Sequence, residues 1–297
     1  MDLIDGLRAF VATAQTGSFT EAAERMGVSN RLTSKYVAEL ETRIGARLLQ
    51  RTTRKVGLTS TGQDLLARAP ALLDELDDML GSITEESKGF SGTIRISAPV
   101  TFGEVYIKDL LDRFTTMHPN LSIDLRLNDA FVDLAANGFD LAFRIGIPEA
   151  SSLKMRKLGI MKSLVVASPE YLAEHGTPST PQELEKHQCI ADTNHPDINR
   201  WVFKKDGEEF TAVVSRQFMV NSARVTRDWA TEGRGIAYCP GFVLSQHLAD
   251  GRLVRVLEDF DTQSYPIAAM YLEGNVLPRK VRALIDFALE DFQTSPY

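Results

Sequence analysis

Apolar residues at positions 3–44 recur with the period of α-helices, and short polar segments separate them. In the first helix the repeating positions are Leu3, Leu7, Phe10 and Ala14. The segment FTEAAERM predicts a short second helix with Ser18 as its N-cap, and Gly27 supplies the turn that follows it. Ser29 is the expected N-cap of a third helix within VSNRLTSKYVAEL, residues 28–40. The chain therefore begins with three short helices around a small core.

The polar face of the third predicted helix is unusual for a solvated surface. Asn30, Arg31, Ser34 and Lys35 place short hydrogen-bonding groups beside cations, and no acid occurs before Glu39. Two short helices joined by a glycine turn are typical of a helix-turn-helix, whose second helix enters the major groove of DNA. In that arrangement Asn30 and Arg31 would meet base edges, and Ser34 and Lys35 would meet phosphates. From spacing alone, a helical hairpin with a solvated face explains the pattern equally well.

Positive charge is concentrated at the amino-terminal end, although the whole chain carries a net charge of −7. Residues 1–59 contain nine lysine or arginine residues against six acidic ones, whereas the remainder contains 24 against 34. The segment RIGARLLQRTTRKVGLT predicts a two-stranded wing with Arg54 and Lys55 at its tip, suited to phosphate contact. A basic end on an acidic body indicates one domain that meets a polyanion and another with a different task.

The first sixty residues also carry a dense resemblance to a known family. The segment FVATAQTGSFTEAAERMGVSNRLTSKYVAELETRIGARLLQRTTRKVGLTSTG is similar to the winged helix-turn-helix of LysR-type transcriptional regulators. Asn30, Arg31 and Thr33 depart from the residues most common in that family, which leaves the motif intact and the preferred DNA sequence open. The resemblance implies a DNA-binding domain over residues 1–59. The contacts that it implies come from Ser18, Ser29, Asn30, Arg31, Thr33, Ser34, Lys35, Arg51, Arg54 and Lys55.

Residues 60–86 repeat with a period of seven. The apolar columns are Leu65, Leu72 and Met79; Leu66, Leu73 and Leu80; and Ala69, Leu76 and Ile83. An apolar seam of this width predicts that a second helix packs against it. The alternative is that the helix packs against its own domain. We interpret Pro70 as a bend in one long helix, because the columns continue in register past it. The resemblance implies that residues 60–90 are a dimerisation linker, so the DNA site is expected to be an inverted repeat.

Strand-like and helix-like segments alternate over residues 91–297, which predicts α/β layers with a mostly parallel sheet. The phrases GTIRISAP, GFDLAFRIG and GRGIAYCP resemble the effector-binding domain of the same family, a two-lobed fold similar to periplasmic solute-binding proteins. The resemblance implies lobe one over about 92–161 and 267–297, and lobe two over about 162–266. The expected fold class is a multidomain α/β protein: an N-terminal winged helix-turn-helix, a long linker helix and a C-terminal two-lobed α/β effector-binding domain.

A ligand cleft between the lobes is also implied by the resemblance. Its candidate residues are Pro99, Val100, Thr101, Arg144, Asn221 and Ser222. Pro99, Val100 and Thr101 precede a helix whose free amides favour an anion, and Thr101 adds a hydroxyl. Arg144 fits either a carboxylate ligand or a surface salt bridge, and Ser222 fits either ligand contact or a plain N-cap. The effector class expected from these residues is a small organic or aromatic acid.

The composition is that of a soluble globular protein, with 43% apolar and 25% charged residues among 297. Cys189 and Cys239 form no CxxC pair, the start lacks a signal-peptide pattern, and no apolar run approaches a membrane span, so we expect a cytoplasmic protein. The five histidines lack HExxH or HxxxH spacing, and DTNHPD at 192–197 is interpreted as an ordinary turn. We expect no metal, no cofactor and no enzymatic activity.

Two functions of different classes are compatible with these patterns. The first is a LysR-type regulator that binds promoter DNA as a dimer or tetramer and responds to a small-molecule effector. The second is a solute-binding or catalytic α/β protein whose basic head serves dimerisation or localisation. Binding to duplex DNA that weakens steeply with salt would distinguish the first from the second.

Overall fold

Three helices and a two-stranded hairpin form the amino-terminal part of the chain, called the head below. The computed structural model describes residues 2–51, 56–83, 89–146, 153–195, 197–272 and 277–294. The elements of the head are α1 (Leu3–Thr16), α2 (Phe19–Met26), α3 (Asn30–Ile44), β1 (Leu49–Arg51) and β2 (Val56–Leu58). The hydroxyls of Ser18 and Ser29 accept hydrogen bonds from the amides of α2 and α3, as the sequence predicts. The connections at Gly17 and Gly27 require positive φ angles of 66° and 67°, which glycine adopts without strain.

The head has its own apolar core. Phe10, Leu40 and Leu48 are fully buried there, and the linker residues Leu65 and Leu66 pack against them. Because α1 and α3 cross over this core, the opposite side of α3 is free to face another molecule.

The linker consists of two helices, so the prediction of one bent helix is wrong. Helix α4 (Ser60–Leu66) ends before helix α5 (Ala69–Ile83) begins, and Pro70 lies in the first turn of α5. Proline has no amide hydrogen for the bond to the carbonyl of Leu66, and its ring crowds that carbonyl, so the helical ladder is interrupted there. An ion pair of 2.5 Å between Arg8 and Asp77 ties α5 to the head.

The remaining elements build the effector region. Its helices are α6 (Val100–Phe102), α7 (Lys108–Met117), α8 (Leu134–Asn137), α9 (Pro169–His175), α10 (Ala223–Thr231), α11 (Ser245–Ala249) and α12 (Arg279–Thr294); a π-helical turn, Gly103–Ile107, joins α6 to α7. Its strands are β3 (Gly92–Ala98), β4 (Leu121–Leu127), β5 (Leu141–Ile145), β6 (Lys154–Ala167), β7 (Gln188–Asp192), β8 (Arg200–Lys205), β9 (Glu208–Val213), β10 (Ser215–Val220), β11 (Ile236–Pro240), β12 (Val254–Arg255), β13 (Asp261–Thr262) and β14 (Ser264–Tyr271).

The main sheet is mixed, which corrects the prediction of a mostly parallel one. Its order is β10-β7-β11-β6-β14-β5-β3-β4. The outer pairs are parallel, whereas β6 and β14 run antiparallel to each other and to their outer neighbours. The reason is that β6 carries the chain from one half of the sheet to the other and β14 carries it back. These two strands run in opposite directions, so they pair antiparallel.

Strand β6 connects two halves of this sheet. Its residues 154–162 pair with β14, and its residues 163–167 pair with β11 and β12. Below, lobe one means β3, β4, β5, β14 and the first part of β6 with α6, α7 and α12. Lobe two means β7, β10, β11 and the last part of β6 with α10 and the small β13-β8-β9 sheet.

Candidate functional site

The amino-terminal end of α3 presents an exposed polar surface. Asn30, Arg31 and Lys35 are exposed, and Ser34 is half-buried beside them. The Asn30 side-chain amide donates to the Thr20 hydroxyl on α2 over 2.8 Å, so the Asn30 side chain is held in one orientation. Lys35 lies 3.7 Å from Glu39, whereas no ion pair among the described residues includes Arg31. This surface therefore offers an oriented amide and an unpaired guanidinium to a molecule lying against α3.

Thr33 does not belong to this surface, which corrects the contact implied by the resemblance. Its side chain is fully buried, and its hydroxyl donates to the Ser29 carbonyl over 3.2 Å. The buried positions of α3 are Thr33, Val37 and Leu40, spaced by four and three residues, so Thr33 belongs to the apolar stripe.

The other predicted DNA contacts have different positions. The hydroxyls of Ser18 and Ser29 act as helix caps. Arg51 lies on β1, but its side chain, like the whole of Arg54 and Lys55, is outside the described residues. Spacing did not single out Thr20, whose role depends on a contact between two helices.

A cavity of about 390 Å³ lies between the two lobes. Three predicted cleft residues line it: Pro99, Thr101 and Arg144. Other lining residues are Phe102, Asp129, Phe131, Ile145, Gly146, Met161, Ser163, Asp192, Asn194, His195, Ala223, Tyr238, Pro240, Phe242 and Tyr265. Its size lies within the range of small-molecule sites, and aromatic rings with a few polar groups line it, as is typical of such sites.

Three predicted cleft residues have their polar groups engaged elsewhere. The Val100 amide donates to Asp129 over 2.9 Å, so a carboxylate of the protein already occupies the helix terminus expected to bind an anion. The Ser222 hydroxyl caps α10 by accepting from the Val225 amide, and the Asn221 carbonyl accepts from the Asn194 side chain. None of these three lines the cavity between the lobes.

Arg144 is a buried cation with unfilled hydrogen-bonding capacity. Its side chain donates to the Phe143 carbonyl and the Ser97 hydroxyl over 2.8 Å each, and to the Ala130 carbonyl over 3.2 Å. A guanidinium has five donors, so two remain, and all three acceptors are neutral. Burial lowers the pKa of Arg144, and the residue is only 2% exposed. A buried charge without a counter-charge in contact is costly, which favours a bound anion.

Asp192 and His195 face the same cavity from lobe two. Asp192 accepts one hydrogen bond, from the Asn194 amide over 2.9 Å, and burial raises its pKa to about 6. Burial lowers the pKa of His195, whose Nε2 lies 3.2 Å from the Tyr265 hydroxyl. The sequence interpretation of DTNHPD as a turn missed this role. A usable signal was its position after β7, since ligands of α/β sheets bind beyond the carboxyl ends of parallel strands.

Comparisons with known proteins agree with this architecture. Residues 4–63 match the family model for bacterial regulatory helix-turn-helix proteins of the lysR family, and residues 87–293 match that for the LysR substrate binding domain. An HTH-type transcriptional regulator of Haemophilus influenzae is 35% identical over 284 residues, covering 96% of this chain and 99% of the relative. The matched relatives are transcriptional regulators, not enzymes.

Two solved structures are similar to nearly the whole chain. AphB, a virulence activator of Vibrio cholerae and a member of the LTTR protein family, is 32% identical with a TM-score of 0.61; the match covers 98% of this chain and 99% of that one. CrgA, a LysR-type transcriptional regulator of Neisseria meningitidis, is 29% identical with a TM-score of 0.62. The match covers 97% of this chain and 98% of CrgA. Among the described residues, no helix has the length and apolar character needed to span a membrane.

Proposed function

Because the chain belongs to the LysR family of transcriptional regulators, we propose that it binds an inverted repeat in promoter DNA as a dimer or tetramer and responds to a small organic or aromatic acid. The observation that carries the DNA-binding part is the exposed Asn30–Arg31 end of α3, opposite the buried face of that helix. Residues 1–59 would bind DNA, 60–90 would link subunits, and 91–297 would bind the effector. Such a role places the protein in the cytoplasm.

In this proposal the side chains of Arg31 and Asn30 both contact base edges. A guanidinium can donate to both acceptor atoms of guanine, and an amide can pair with adenine. Arg31 is exposed and has no ion-pair partner among the described residues, so it is free to make such contacts. Lys35, one turn further along α3, is placed for a phosphate.

The test is Arg31→Ala against a set of duplexes in which each base pair of the site is changed in turn. We expect discrimination at one position to fall by about 1–3 kcal/mol while the other positions keep theirs. Arg43→Ala is the matched control, because Arg43 is an exposed arginine near the other end of α3. If Arg31→Ala weakens every duplex equally, Arg31 contacts only the backbone.

Dimerisation is supported by the apolar side chains that α5 leaves exposed. Leu72, Met79 and Leu80 are 57%, 51% and 53% exposed, an unusual density for one helix of a soluble protein. A second copy of α5 would cover them by the packing of apolar seams. Leu72→Glu should therefore shift the protein towards the monomer in sedimentation equilibrium, whereas Glu75→Gln, at an exposed polar position of the same helix, should not. If the molar mass of the Leu72→Glu protein in sedimentation equilibrium equals that of the natural oligomer, this interface is refuted.

The acid effector is supported by Arg144, whose remaining donors can hold a carboxylate. Arg144→Lys keeps the charge but replaces a planar guanidinium, whose donors lie on three nitrogens, by a single ammonium group, so it should weaken binding of an acid effector about tenfold or more. A solute-binding or catalytic protein with a basic head is disfavoured, because the helix-turn-helix family model covers residues 4–63.

A further inference from the structure

The charges that line the cleft do not suit a simple anion. Arg144 is the cation among the described lining residues, and Asp129 and Asp192 are carboxylates. His195 adds no positive charge near neutral pH, since its pKa is lowered. The lining therefore carries one positive and two negative charges, and an acid bound at Arg144 would add a third negative charge.

Asp129 and Asp192 differ in the lobe from which they line the cavity. Asp129 belongs to lobe one, as Arg144 does, and its Oδ1 accepts a hydrogen bond from the Val100 amide over 2.9 Å at the start of α6. Asp192 accepts the Asn194 amide through Oδ1, and no ion pair among the described residues includes it. Asp192 is thus a carboxylate on lobe two with an open oxygen, and it lines the same cavity as Arg144 on lobe one.

We propose that the ligand of this cleft is a zwitterion, an amino acid or similar molecule whose carboxylate binds Arg144 and whose ammonium group binds Asp192. The inference rests on the proposed function, because it takes the cleft as the effector site and adds the second charge of the ligand. A zwitterion leaves the net charge of the cavity unchanged and gives Arg144 and Asp192 each a partner of opposite sign.

The walls of the cavity indicate the body of this molecule. The Phe102 and Phe242 rings meet edge to face with their centroids 5.2 Å apart. Tyr238 on β11 lines the lobe-two side, and Tyr265 on β14 lines the lobe-one side. The Phe131 ring lies 5.9 Å from the Arg144 guanidinium and is 55% exposed, so it can fold over a bound carboxylate. A cavity of 390 Å³ holds about a dozen waters at roughly 30 Å³ each, which suits a ligand the size of phenylalanine or leucine.

Binding of both charges would couple the ligand to the angle between the lobes. Arg144 extends from β5 in lobe one, and Asp192 ends β7 in lobe two. A molecule with only one charge contacts one of these residues, whereas a zwitterion draws the two lobes towards each other. The two-charge requirement therefore gives a physical reason why a ligand would change the conformation.

The experiment compares three probes that share one carbon skeleton: phenylalanine, 3-phenylpropionate and 2-phenylethylamine. All three are titrated into the full-length protein by calorimetry, after a thermal-shift screen of the twenty standard amino acids; the same removal of one charge is applied to the amino acid that binds best. We expect the amino acid to bind about 10- to 100-fold more tightly than the molecule lacking either charge. Asp192→Asn should remove most of that advantage, while the exposed hairpin variant Asp206→Asn should keep it.

Each outcome bears on one of the two proposals. If an acid without an amine binds as tightly as the amino acid, and Arg144→Lys weakens both, the zwitterion inference fails and the acid effector stands. If Asp192→Asn leaves the preference for the amino acid intact, the inference also fails. If no standard amino acid binds more tightly than about 1 mM, the inference is overturned, and binding of the acids then decides the proposed function separately.

Discussion

Replacing Asp192 with asparagine should stabilise the ligand-free protein at neutral pH. The carboxylate is half-buried, accepts one hydrogen bond and has no cation in contact among the described residues. Asparagine has the same shape, keeps an oxygen for the Asn194 amide and carries no charge. The substitution therefore removes the cost of a desolvated charge without leaving a cavity.

The magnitude follows from the pKa of the carboxyl, which rises from 3.8 to about 6 on folding. Each pKa unit corresponds to about 1.4 kcal/mol, so the charge costs at most about 3 kcal/mol, and partial exposure reduces this to roughly 1–2 kcal/mol. A domain of this size gains roughly 2–4 °C per kcal/mol, so the melting temperature should rise by roughly 2–8 °C.

The pH dependence identifies the cause. Above about pH 6 the folded protein carries the charge and the full cost. Between about pH 6 and 3.8 the folded form binds a proton that the unfolded form does not, so the cost shrinks as the pH falls and vanishes below 3.8. The advantage of Asp192→Asn should therefore be halved near about pH 5 and nearly absent near about pH 4.

Thermal unfolding of both proteins across this pH range, with Asp206→Asn as the exposed control, measures the effect. A variant that is less stable than the natural protein at neutral pH, or whose advantage does not change with pH, would refute the reasoning. Stabilisation together with weaker ligand binding would identify Asp192 as a residue that serves binding at the expense of stability.

Three further predictions concern other parts of the chain. Gly62→Ala should destabilise the head by about 1–3 kcal/mol in urea unfolding followed by circular dichroism, because its new methyl group would lie 2.1 Å from the Leu48 carbonyl oxygen; an unchanged midpoint would mean that α4 moves freely. Thr33→Lys should cost more than about 3 kcal/mol and abolish DNA binding through unfolding of the head, so a folded variant that still loses affinity would return Thr33 to the DNA surface. Glu104→Gln should change the free energy of unfolding by less than about 1 kcal/mol, since its ion pair with Arg224 at 3.2 Å is exposed, and a larger loss would show that this contact holds the lobes together.

The head could be predicted from the sequence because its signals are local. Ser18 and Ser29 cap the helices that follow them, and the glycine turns lie where they were expected. The burial of Thr33 could not be predicted from the sequence, because Leu32 and Thr33 are neighbours and the apolar stripe of a helix can include either. In the structure α3 packs against α1 and α2, and Thr33 is buried whereas Leu32 is half-buried.

The effector region depends on contacts between distant residues, and its details were harder to predict. The direction of β6 relative to β14 is set by pairing between residues about a hundred positions apart, which alternation of elements does not encode. Arg144 and Thr101 were identified by resemblance, whereas Asp192 and His195 were missed because DTNHPD has the composition of an ordinary turn. Their role arises from the folded cleft, where the sheet brings the turn opposite Arg144.

The most direct test of DNA recognition by the head is the salt dependence of binding to the duplex upstream of the protein's own gene. Arg31, Lys35 and Arg47 are exposed in each copy, so a dimer should displace at least six counterions from the phosphates. We expect the affinity to fall by about a thousandfold or more between about 50 and 200 mM salt, as for proteins with six to ten phosphate contacts. Affinity that changes less than about tenfold over this range, or no binding at all, would contradict the account.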